Sequence, residues 1–288
     1  MRTPTRHWPS SRHVPLPERT VVITGAASGI GAATAARLGA AGWNVIGIDK
    51  DETDIVADLS TPAGRRDAVA GATHRSGGAL AGIVTCAGLA SLPGRAGSLL
   101  AAVNYFGTVD VLEGLRPLLA PGGAAVAISS NSTTVQPAIP ADLVEALLRH
   151  DEELSAQIAD TRDSLVAYPA SKLALAHWVR RHATGRDWAG SGLRLNAIAP
   201  GLIDTPMVAG MRADAEAGPL LDMLPIPLGR PGRPEEIAAL VDFLLGPDGT
   251  FFCGSVLFCD GGSDALLRTN DWPAAWDISV RDFGQQLS

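Results

Sequence analysis

A chain of 288 residues and 29.7 kDa, 46% hydrophobic and 18% charged, suits one large α/β domain and excludes global disorder. Its net charge of −7 and pI of about 5.3 have the wrong sign for electrostatic binding of nucleic acid. No run of eighteen apolar residues is present to span a membrane.

In chain order, residues 1–19 carry four prolines and four arginines and read as a flexible extension without a signal-peptide core. VVIT (21–24) reads as a strand, followed by a Gly-rich turn and an Ala-rich helix over 29–41. WNVIGID (43–49) and DIVAD (54–58) read as strands, and Thr61-Pro62 opens a helix over 61–75. A buried strand at 79–88, a helix at 97–119, a strand at 124–130, a helix at 165–186 and a strand at 193–200 follow. A lid-like stretch (202–230), a helix (234–245), a strand (255–260) and a tail (263–288) complete the chain. Seven apolar runs alternating with helices predict a doubly wound, Rossmann-type parallel sheet with helices on both faces, a single domain over 20–262.

Cys86, Cys253 and Cys259 are odd in number, with no CxxC; the last two, on one strand, would sit about 20 Å apart, too far to bridge. The six histidines form no ligand pattern, so no metal is expected. The chain reads as cytoplasmic.

Chemistry begins at Thr24-Gly25-Ala26-Ala27-Ser28-Gly29-Ile30-Gly31, between a strand and a helix. Glycines 25, 29 and 31 permit a tight turn and close approach of a pyrophosphate, held by the free N–H groups of the helix start. Asp49, at the end of the second strand, can accept both ribose hydroxyls and repel a 2′-phosphate, which favours NAD over NADP; Lys50 beside it is the dissenting residue. Tyr168 and Lys172 lie one helical turn apart, where an ammonium can bring a tyrosine into working range as a base. Ser129-Ser130 close the strand at 124–130, at the sheet edge where such folds bind ligands.

These residues together resemble the short-chain dehydrogenase/reductase family over roughly 20–262. The resemblance adds Asp58-Leu59 as an adenine contact, Ala87-Gly88 in a TCAG that replaces the family's NNAG, and Asn104 in VNYFG. It also adds Pro200, Gly201, Ile203 and Thr205 beside the nicotinamide, and Asp260-Gly261-Gly262 after the last strand. It implies a catalytic tetrad of Asn104, Ser130, Tyr168 and Lys172, with Asn104 holding a water. The TCAG variant implies that the hydrogen bonds of the first Asn are missing or replaced. Ser130 and Tyr168 stand 38 residues apart, where relatives have about a dozen, so 137–163 reads as a helical insertion. That insertion and strings such as VIGID, CAGL and VNYFG resemble the bacterial 3α-hydroxysteroid dehydrogenase/carbonyl reductases.

The expected activity is interconversion of a secondary alcohol and a ketone on a hydrophobic substrate. Ser130, Met207 and Met211 are the expected substrate contacts, in a lid segment that also holds Val208, Leu220, Leu221, Met223 and Leu224. A non-steroid ketone (terpenoid, aromatic or xenobiotic) is the alternative substrate, and a non-catalytic dinucleotide sensor the alternative class. An insertion with Leu143, Leu147, Leu154 and Ile158 on one face would cover the family's four-helix interface. That predicts a homodimer through 234–260, with Trp272 and Trp276 docking nearby, and a tetramer as the alternative.

Overall fold

Each apolar run becomes a strand: β1 (Thr20–Thr24), β2 (Asn44–Asp49), β3 (Ile55–Val56), β4 (Leu80–Thr85), β5 (Leu119–Ile128), β6 (Arg194–Pro200) and β7 (Val256–Cys259). The computed structural model describes residues 19–277 together with Ser279 and Asp282, so all but Arg19 of the extension expected at residues 1–19 lies outside the described residues. The seven strands pair in parallel in the order β3-β2-β1-β4-β5-β6-β7. The direction of winding reverses between β1 and β4, which opens a crevice at their carboxyl ends where open α/β sheets bind ligands.

The helices are α1 (Gly29–Ala40), α2 (Pro62–Arg75), α3 (Gly97–Ala101), α4 (Gly107–Leu115), α5 (Ser132–Val135), α6 (Ala141–Leu148) and α7 (Glu152–Asp160). They continue with α8 (Ser164–Ala183), α9 (Pro206–Ala213), α10 (Ala217–Asp222), α11 (Pro234–Leu245) and α12 (Ser263–Leu267). One face of the sheet buries Val21, Ile23 and Val84 against Leu38 of α1 and Val241 and Leu244 of α11. The other buries Val22, Ile83 and Ala125 against Leu112 of α4 and Leu175 and Trp178 of α8. Strands covered on both faces carry apolar side chains continuously, which explains the unbroken runs in the sequence.

Three boundaries differ from the sequence reading. The helix expected over 97–119 is broken by a π turn at Ala102–Phe106, and the chain enters β5 at Leu119, after Pro117 has ended the helical hydrogen bonding. The strand at 54–58 shrinks to two residues, and the exposed Asp54 before it uses its carboxylate, not its backbone, to accept the Gly47 N–H of β2. Cys253 precedes β7 and donates its thiol to the Ala183 carbonyl, so it does not share a strand with Cys259. All three cysteines are free. Residues 137–163 contain α6 and α7; α6 packs on α8, with Leu143 and Leu147 buried, and α7 packs on α3, with Ile158 half-buried. Among the described residues no helix is long and apolar enough to cross a membrane, and no cluster could hold a metal ion.

Candidate active site

The Gly-rich turn joins β1 to α1 at the crevice. Gly25 has φ +69°, and a Cβ on Gly31 would fall 2.0 Å from the Gly25 carbonyl oxygen, so both positions demand glycine. Ser28 caps α1 without a side-chain bond, and no acidic residue lies in the first turn. The helix start therefore offers free N–H donors and a positive dipole end to an anion. A cleft of about 720 Å³ runs from this turn across the edges of β2 and β4. Gly25, Ser28, Gly29, Ile30, Gly31 and Asp49 line it on one side, and Asp58, Leu59, Ala87, Gly88 and Thr205 on the other. Asp49 accepts the Ala27 N–H at 3.0 Å and the Lys50 N–H at 2.7 Å, which fixes its carboxylate at the end of β2. Asp58 accepts the Ser60 N–H at 2.9 Å, and its pair of bonds from Ser60 holds its carboxyl below the usual range. These features fit a dinucleotide: glycine surfaces, a helix start free of acids, and a fixed carboxylate where a ribose would lie.

A second cavity of about 190 Å³ adjoins the cleft and shares Ile30, Cys86, Gly88, Leu89, Thr205 and Met207 with it. Ser130, Tyr168, Lys172, Pro200, Gly201, Ile203, Met207 and Met211 line this cavity, so the expected reacting groups meet in one place. Ser129 donates its hydroxyl to the Lys172 carbonyl at 2.9 Å, which locks the end of β5 against α8. Ser130 Oγ accepts the Ser132 N–H at 3.1 Å, orienting the hydroxyl.

Burial acts on both members of the pair. Lys172 is buried and donates Nζ to the Ile128 carbonyl at 2.9 Å; burial lowers its pKa to about 8. Burial pushes the Tyr168 hydroxyl up, and the hydrogen bond with Ser130 acts against it. In the free protein Tyr168 therefore stands as a protonated phenol, burial outweighing the opposing hydrogen bond with Ser130.

Asn104 lines neither cavity. It sits fully buried in the π turn, where Oδ1 accepts the Leu89 N–H at 2.7 Å and Nδ2 donates to the Leu89 carbonyl at 3.0 Å. Its amide thus clamps the segment after β4. In TCAG, Thr85 Oγ1 is buried without a partner, and the tie between strands passes to Thr24, whose Oγ1 accepts the Ala87 N–H at 3.1 Å. Burial raises the adjacent Cys86 thiol to about 12.

The lid helices α9 and α10 place Met207, Val208, Met211 and Leu221 on the cavity wall, joined by Leu224 just beyond α10, whereas Leu220 and Met223 of the same segment are exposed. Thr205 Oγ1 caps α9 through the Val208 N–H at 3.3 Å. Sequence reasoning missed Ala90, Ser91, Ser132, Val135 and Gln136, which also line the cavity. Their signal was local: Ser91 follows the Gly88 turn, and Ser132 to Gln136 continue directly from the Ser129-Ser130 strand end.

Comparison with known proteins agrees with this geometry. The short chain dehydrogenase model matches residues 19–140, and the enoyl-(acyl carrier protein) reductase model matches residues 154–264. The chain is 36% identical over 254 residues to a 3-alpha-hydroxysteroid dehydrogenase/carbonyl reductase of Comamonas testosteroni, covering 86% of this chain and 97% of that protein. It is 33% identical over 273 residues to a cis-4-hydroxycyclohexanecarboxylate dehydrogenase of Sinomonas cyclohexanicum, covering 86% and 98% respectively. The crystal structure of a 3-alpha-hydroxysteroid dehydrogenase from Pseudomonas sp. B-0831, solved with NADH, superposes with a TM-score of 0.84 at 43% identity. That match covers 88% of this chain and 100% of that one. With its parallel seven-stranded sheet and dinucleotide cleft, this chain belongs to the short-chain dehydrogenase/reductase family of oxidoreductases.

Proposed function

We propose that the protein is an NAD-dependent oxidoreductase interconverting a secondary alcohol and a ketone on a hydrophobic substrate of the hydroxysteroid or cyclic-ketone kind. The observation that carries this reading is the convergence of Ser130, Tyr168 and Lys172 on an otherwise apolar cavity continuous with the dinucleotide cleft. Similarity to the two named dehydrogenases supports the substrate class. In this role a bound nicotinamide supplies hydride to a ketone carbon or takes it from an alcohol. Ser130 holds the substrate oxygen through its oriented hydroxyl. Tyr168, a protonated phenol, gives its proton to that oxygen during reduction and recovers it during oxidation. Lys172 in its charged form stabilises the phenolate left behind. Met207, Met211 and Leu221 hold the apolar body and exclude water.

Asp49 is the proposed basis of preference for NAD, since a 2′-phosphate would meet its carboxylate at close range. In assembly, we propose a homodimer through α11 and β7. Support comes from α6 and α7 lying over the α8 and α3 surfaces, and from the half-buried outer strand β7 with exposed Phe243, Leu266 and Leu267 nearby. Steady-state turnover with NADH and NADPH over cyclic ketones and 3-ketosteroids tests the function. Preference for NADH should narrow in Asp49→Ala, which loses about 1–3 kcal/mol of NADH binding. Preference of the unaltered protein for NADPH would overturn the role of Asp49, and no turnover of any ketone would overturn the function.

A further inference from the structure

The loop after β4 carries a guanidinium whose placement the reaction above does not use. Leu92-Pro93-Gly94-Arg95 forms a tight turn in which the Arg95 N–H donates to the Leu92 carbonyl at 3.0 Å and Gly94 has φ +74°. Proline second and a left-handed glycine third are what a type II turn requires. Ser164, at the start of α8, donates its hydroxyl to the same Leu92 carbonyl at 2.8 Å and pins the turn. On the far side, a Cβ on Gly97 would fall 2.2 Å from the Ala159 carbonyl, so the chain leaving the turn is pressed against α7. Arg95 is thus held on a rigid base.

The guanidinium is half-buried and lines the dinucleotide cleft. One of its nitrogens, Nη1, donates to the carbonyl of Ala90, a residue of the substrate cavity wall. Arg95 therefore stands at the rim that both spaces share. No carboxylate among the described residues pairs with it. Other sheltered arginines are committed: Arg65 is paired with Asp110 and Glu152, Arg116 with Glu113, and Arg194 donates to the Leu244 and Gly249 carbonyls at 2.7 Å each. In a chain of net charge −7, this half-buried cation at the cleft, free of any acidic partner among the described residues, is open to an anion. Its remaining donors have the fork geometry that suits a carboxylate or phosphate.

We propose that Arg95 is an anion-binding residue at the shared rim, receiving the oxygens of a carboxylate on the substrate or of the cofactor diphosphate. This inference rests on the functional reading above, which places substrate and cofactor in these two spaces. It extends that reading to a substrate with an apolar body, a reacting ring oxygen and an anionic group at the mouth of the cavity.

The test separates the two sources. Titrate NADH into the protein by fluorescence, and titrate 4-oxocyclohexanecarboxylate or its methyl ester into the NAD⁺-loaded protein by calorimetry, in the unaltered chain and in Arg95→Gln. Loss of affinity for the carboxylate by about tenfold or more relative to the ester, with NADH unchanged, assigns the anion to the substrate. A comparable loss for NADH, with both ring ligands affected alike, assigns it to the cofactor. No change in either overturns the proposal. Arg95→Lys keeps the charge but not the fork, so its affinity should fall between those of the unaltered chain and Arg95→Gln; affinity for the methyl ester lowered as much as that for the carboxylate, with NADH unchanged, would show a loop clamp through Ala90 and also overturn it. On the unaltered protein, rising salt should erode the same affinity, which gives a readout independent of any substitution. Binding is measured without turnover, so absence of ketone reduction would count against the function while leaving this test interpretable.

Discussion

At the residue scale, the chemistry depends on which protons are held at working pH. Burial raises Tyr168 and lowers Lys172 to about 8, so near neutrality the free protein holds a protonated phenol beside a charged amine. In the proposed reaction, ketone reduction would consume the phenol proton and leave a phenolate for the amine to neutralise. Loss of the Lys172 proton removes that help, so kcat/KM for reduction should be level below pH 8 and descend above it. A profile that rises through pH 9 would contradict the assignment. That Ser130, Tyr168 and Lys172 would line one cavity was legible in the sequence, because a tyrosine and lysine one turn apart, after a Ser-Ser strand end, need few other constraints to meet. The protonation balance was not legible. It depends on Lys172 bonding the Ile128 carbonyl and on Ser130 bonding Tyr168, contacts made only once β5 and α8 pack. The bonds between the Asn104 amide and Leu89 were not legible either, since they form only where the π turn meets the backbone after β4.

At the element scale, the segment 137–163 shows how an insertion is tied to the fold. His150 follows the last turn of α6 with φ +59°, a left-handed conformation that non-glycine residues adopt at a cost of about 1 kcal/mol. Its ring packs against Phe106 and its Nε2 lies 3.0 Å from Asp110 of α4, which also pairs with the buried Arg65 of α2. Glu152, at the start of α7, closes on Arg65 from the other side. The hydrogen bond to Asp110 raises the His150 pKa, so the protonated ring stabilises the folded state. That contribution is fully present below the ordinary value of about 6.5 and is lost as pH rises through the higher folded value. The melting temperature of the unaltered protein relative to His150→Gln should therefore fall from pH 6 to pH 8; a difference independent of pH would contradict the linkage. The sequence showed the helical periodicity of this segment through Leu143 and Leu147, but not the ion network. Arg65, Asp110, His150 and Glu152 come from distant parts of the chain, and only the packing of α2, α4 and α7 brings them together.

At the scale of the whole molecule, the parallel sheet was the most legible feature, since continuous β-branched runs such as VVIT and alternating helices leave few other architectures. Strand β3 and the start of β5 were read less well, because the side-chain bond of Asp54 to Gly47 and the entry into β5 between the prolines at 117 and 121 carry weak local signals. Assembly follows from what the helices cover: light scattering at micromolar concentration should give the mass of two 29.7 kDa protomers, and a mass of four would show that α6 and α7 leave the α4–α8 surface free. The central claim is that Tyr168 delivers a proton to a ketone oxygen while the carbon takes hydride from the nicotinamide. Incubation of the protein with a cyclic ketone and NADH deuterated at the transferable C4 position tests it most directly. The account predicts deuterium on the carbinol carbon of a single product stereoisomer, and a rate lower by about two to four orders of magnitude in Tyr168→Phe with NADH binding retained. An undeuterated alcohol, or a Tyr168→Phe rate within tenfold of the unaltered protein, would contradict it.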